Sequence, residues 1–87
     1  MNRAEILAAA SQAVTVDRQS SHGNPEDSFG DIARIWSVRT GVTITAAQVT
    51  IMLIDLKTVR AWGNPAHVDS WADIAGYAAC GGEIAGD

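Results

Sequence analysis

A single cysteine, Cys80, in 87 residues excludes an internal disulfide and any multi-cysteine metal cluster, and fits a reducing compartment. Aromatic side chains are scarce: three tryptophans, one tyrosine and one phenylalanine. Cations are scarcer than anions, six against ten, and the net charge of −4 argues against sequence-independent coating of nucleic acid, which needs a basic face. A local basic patch can still hold one phosphorylated small molecule. No apolar run approaches the ~20 residues of a membrane span, and no apolar signal core follows Met1-Asn2-Arg3-Ala4-Glu5. The expectation is a cytoplasmic protein without a membrane partner.

Signatures of catalysis are equally thin. Gly81-Gly82 lacks the strand and lysine of a phosphate-binding loop, Cys80 has no base partner suggested by the sequence, and His22 with His67 does not make a metal site. No catalytic residue, metal ligand or cofactor is therefore assigned.

What is present is globular: 47% of the residues are hydrophobic, well above the range of disordered chains. The length allows one domain, residues 1–87, which buries only about 60% of the surface its unfolded chain exposes. Apolar spacing and caps predict an all-α fold, a compact bundle of about four short helices completed by oligomerisation. The first runs from an Asn2 cap to about Val16, with Ile6, Leu7, Ala10, Ala13 and Val14 on one stripe. Asp17 to Asn24 reads as a loop. Asn24-Pro25-Glu26-Asp27 starts the second, which carries Phe29, Ile32, Ala33 and Trp36 inward and ends at Gly41.

Thr45-Ala46-Ala47-Gln48 has the form of a capping box and opens the third helix at about Ala46; Gly63-Asn64-Pro65 stops it. Its apolar residues occupy more than one face, with Val49, Met52, Leu53, Leu56 and Val59 as the main stripe and Ile51 and Ile54 outside it. That excess marks a central helix or a subunit interface. Asp69 or Ser70 caps a fourth helix through Trp71, Ile74, Ala75, Ala78 and Ala79, ended by Gly81-Gly82. Gly76 inside it costs about 1 kcal/mol against Ala unless close packing compensates.

Three groups of residues are candidates for binding. Lys57 and Arg60, three apart beside Leu56 and Val59, present two cations suited to a phosphate, or else pair with acids of a neighbouring helix. Asp69 and Asp73, one turn apart, and likewise Asp27 and Asp31, can share a divalent cation or simply serve the positive helix end. Trp71 and Tyr77 can stack on a base or fill the core. His22 and Arg18 in the loop can add a hydrogen bond and a charge.

The segments Arg3-Ala4-Glu5-Ile6-Leu7, Asp17-Arg18, His22-Gly23-Asn24-Pro25, Phe29, Ile32-Ala33, Trp36-Ser37, Leu56-Lys57, Arg60 and Asp69 through Ala79 together resemble a phage and prophage family of short helical proteins of unknown function. The likeness covers nearly the whole chain. Lys57/Arg60 and Asp73-x-Ala75-Gly76-Tyr77 also look like the nucleotide-modification-associated helical domain, which implies a nucleotide context. More distantly, the chain is similar to the all-α nucleoside triphosphate pyrophosphohydrolases of the MazG type. Their Glu-x-x-Glu motif is missing, since Ala8 follows Glu5 and Phe29 follows Glu26 at that spacing; only Asp27/Asp31 and Asp69/Asp73 stand in.

The resulting expectation is a phage protein that binds a nucleotide-like ligand without catalysis, sequestering a host defence signal. Arg18, His22, Lys57, Arg60, Asp69, Trp71, Asp73 and Tyr77 form its binding set, and the partners are that ligand and further copies of the chain. A magnesium-dependent pyrophosphohydrolase and a protein-binding module acting on a host factor are the alternatives.

Overall fold

The computed structural model describes residues 1–17 and 23–86. They form four helices: α1 (Arg3–Gln12), widened into a π-helical turn over Ala13–Asp17; α2 (Pro25–Thr40); α3 (Ala46–Gly63); and α4 (Val68–Gly86). There is no strand among the described residues, so the all-α expectation holds. α3 and α4 form the central pair, with α2 packed on α3 and α1 packed on α4.

Local chemistry fixes most of the ends. Asn2 and Glu5 satisfy each other's backbone N–H groups in a reciprocal cap of α1 at 2.9 Å each, and Thr45 with Gln48 does the same for α3. α2 stops at Gly41, whose left-handed φ of 77° needs a residue without Cβ. At the head of α2, Asn24 holds the cap position, but its side chain makes no capping hydrogen bond; Pro25 and the acids Glu26 and Asp27 mark that start instead.

α4 departs from expectation at both ends. It begins at Val68, so Asp69 and Ser70 lie inside its first turn and neither caps it; Ser70 is buried there and its N–H meets His67 O at 3.2 Å. It also runs through Gly81 and Gly82 to Gly86. Those glycines serve packing. A methyl group on Gly81 would collide with the hydroxyl of buried Thr50 across the α3–α4 contact. Gly76, likewise, lets Val14 approach to within 3.0 Å of where a Cβ would stand, the close packing its helical position called for.

The core is small. Phe29 and Ala33 of α2, Val49 of α3 and Cys80 of α4 are buried together, with Val14, Ile32, Trp36, Leu53 and Tyr77 packed around them. Phe29 and Tyr77 meet edge to face, centroids 6.3 Å apart at 72°, an arrangement favoured by the ring quadrupoles. The radius of gyration is 13.4 Å, against about 12 Å for a compact chain of this length. A flat bundle leaves much apolar surface outside. Leu7 and Ala13, expected inward on α1, are exposed, and so are Met52, Leu56 and Val59 of α3, while Ile54 turns half inward. For α3 the reason is that α2 and α4 together leave one side of it open, and for α1 that it packs on α4 alone.

Candidate functional site

Trp62, in the last turn of α3, is 91% exposed. A tryptophan so far out of the core is unusual, because large aromatics dominate burial in small domains. The chain turns directly behind it: Asn64 N–H closes onto Arg60 O at 3.0 Å and His67 N–H onto Asn64 O at 3.1 Å, sending the chain back as α4. Trp71, one turn into α4, then comes round to the same side, and its Nε1–H donates to Pro65 O at 2.9 Å.

Between the two indoles lies an open groove of about 450 Å³, lined by Thr58, Ala61, Trp62, Pro65, Trp71 and Ile74. Its chemistry is apolar. The one lining hydroxyl, Thr58, donates to Asp55 O at 2.8 Å, and no lining residue carries a charge. Such a groove can hold an aliphatic or aromatic group and desolvate it, but it offers no cation to a phosphate.

The residues singled out in the sequence fall in several places. Only Trp71 lines the groove. Lys57 is half-buried between α3 and α4, where its Nζ lies 2.7 Å from Asp73 Oδ2, so the cation is bound to an acid of the neighbouring helix. Asp73 and Tyr77 border a second, smaller cavity of about 90 Å³, together with Val14, Phe29, Gly76 and Cys80. Arg60 is exposed, and Asp69 is exposed 3.8 Å from His67 Nε2. Arg18 and His22 lie outside the described residues. Lys57 thus faces an acid of α4 while Arg60 stands in solvent.

The acid pairs also stay apart. Asp31 pairs with Arg34 on its own helix and Asp73 with Lys57, and among the described residues no group of three or more His, Cys, Asp or Glu side chains is placed to hold a metal ion. Likewise, no helix among them is long and apolar enough to cross a membrane. Sequence reasoning missed Trp62, Thr58, Pro65 and Ile74 as a set. The available signal was the pair of tryptophans bracketing the Gly63-Asn64-Pro65 turn.

Fold and site together define a small all-α domain with an aromatic groove at one helix turn. The chain belongs to the family described as a domain of unknown function (DUF6378), which matches residues 5–85. It is 35% identical over 75 residues to the Gene 55 protein of Mycobacterium phage D29, covering 86% of this chain and 50% of that protein. The Gene 55 protein of Mycobacterium phage L5 is 35% identical over 74 residues, covering 84% and 47%. The chain thus spans about half the length of the curated relatives it matches. No solved structure matches it.

Proposed function

We propose that this phage-family protein is a non-catalytic binding module that captures a protein partner through the groove between Trp62 and Trp71. The observation that carries the reading is the exposure of Trp62, at 91%, beside a second tryptophan already tied in place by Pro65. Tryptophan is among the residues enriched at the energetic centres of protein interfaces, and an apolar groove with a fixed wall matches a bulky apolar side chain of a partner. The absence of charge among the lining residues favours a protein segment over a polyphosphate.

The test is retention of proteins from a phage-infected host lysate on immobilised wild-type chain and, in parallel, on Trp62→Ser. A defined protein held by the wild type and lost from the variant, then rebound in purified form, supports the reading. Identical retention by both overturns it.

A nucleotide-like ligand is the second reading, favoured by one feature: two indole faces bordering a groove can stack on a base. In that case a nucleotide from a panel of linear and cyclic forms binds saturably in calorimetry, and Trp71→Ala weakens it. The sequestration of a host defence signal belongs to this reading. The pyrophosphohydrolase reading has less behind it, since Asp73 is committed to Lys57 and Asp31 to Arg34.

A further inference from the structure

The outer face of α3 carries Ile51, Met52, Leu56 and Val59, all exposed, and no other helix covers it. We propose that this face pairs in parallel with α3 of a second copy of the chain, with Asp55 of each copy bound to Arg60 of the other. The inference goes beyond the groove reading, for the groove opens on the α4 side of Trp62 and its lining includes none of Met52, Asp55, Leu56, Val59 or Arg60.

Spacing supplies the first argument. Met52, Leu56 and Val59 follow one another at intervals of four and three, the seam pattern of paired helices. Asp55 and Arg60 flank that seam on opposite sides. Five residues apart, they stand about 140° from each other around one helix, too far to pair within a chain. Both are exposed, and neither has an ion-pair partner among the described residues. In a parallel pair of identical helices, the flank position preceding one seam residue faces the flank position five residues on in the partner. An acid and a base at that spacing are therefore complementary to a second copy of themselves. An antiparallel pair would instead bring each charge toward its own counterpart.

Composition is the second argument. The seam residues and Ile51 beside them are all apolar and open to solvent, and Gly63, the seam position after Val59, lets the backbones approach there. A face this depleted of charge resembles a permanent interface between copies.

Light scattering after size-exclusion chromatography of the full chain tests the proposal. The wild type is expected to elute at the mass of two chains at micromolar concentration, and Leu56→Glu at the mass of one with its helical circular dichroism unchanged. Asp55→Arg and Arg60→Asp are each expected to weaken the dimer at least tenfold, and the double variant to return to within about threefold of the wild type. A one-chain mass for the wild type at tens of micromolar overturns the proposal. So does a dimer indifferent to Leu56→Glu, or one in which the double variant recovers nothing over the single ones. Trp62→Ser is expected to keep the two-chain mass, so loss of lysate capture by that variant tests the groove reading alone, and loss of the dimer in it overturns the seam proposed here.

Discussion

Lys57 and Asp73 sit on neighbouring helices with Nζ and Oδ2 2.7 Å apart, and the lysine side chain keeps only 15% of its exposure while the aspartate keeps 39%. This is a pair drawn partly out of water at the centre of the α3–α4 contact. Its two members do not respond alike to truncation, because the more deeply covered charge loses more when left alone.

Removing the lysine strands a partly hydrated carboxylate; removing the aspartate strands a mostly buried ammonium. Lys57→Ala is expected to lower the unfolding free energy by about 1–2 kcal/mol, between the values for exposed and fully buried pairs. Asp73→Ala should cost more. Guanidinium titrations followed by circular dichroism measure both, and equal or negligible losses would refute a structural ion pair.

Adjacent glycines of α4 are expected to respond in opposite directions. Gly81→Ala pushes a methyl into Thr50, whose hydroxyl is held to Ala47 O at 2.6 Å, and overpacking of that kind costs about 1–3 kcal/mol. Gly82 has nothing within reach of an added Cβ, so Gly82→Ala should stabilise the helix by about 0.5–1 kcal/mol. Thermal unfolding of the two variants side by side decides it.

Trp62 is expected to be dispensable for folding. With most of its surface in water, Trp62→Ala should change stability by no more than about 0.5 kcal/mol. It should also remove the long-wavelength, iodide-quenchable part of the tryptophan emission, leaving that of half-buried Trp36 and tethered Trp71. A large loss of stability would mean that the indole packs against the fold.

Much of this architecture was readable from local signals. Asn2 with Glu5 and Thr45 with Gln48 encode their caps in four residues each, and Gly41 encodes its left-handed turn, because these features depend only on near neighbours. The misreadings arise where distant partners decide. Gly81-Gly82 has the form of a helix stop, yet the helix continues because Thr50 of α3 needs the space. Met52, Leu56 and Val59 look like core residues by type, and nothing local says that α2 and α4 pack on the other side. For the site, Lys57 is equally compatible in sequence with a phosphate and with an acid on another helix, and its contact with Asp73, 16 positions away, depends on how α3 and α4 pack. Trp62 carries no local mark of its exposure, which follows only from where α2 and α4 pack.

The hydrogen bond from Trp71 Nε1 to Pro65 O ties a groove wall to the turn that forms the groove's floor, and proline at that position restricts the backbone further. The rotational freedom that an indole ordinarily gives up on contact is thus already gone in the unliganded protein. Trp62 has no comparable tether among the described residues. Whatever enters meets one fixed jaw and one free jaw, so the ordering that accompanies capture falls mainly on a single side chain, and tightening Trp62 is the direct route to higher affinity without any new contact.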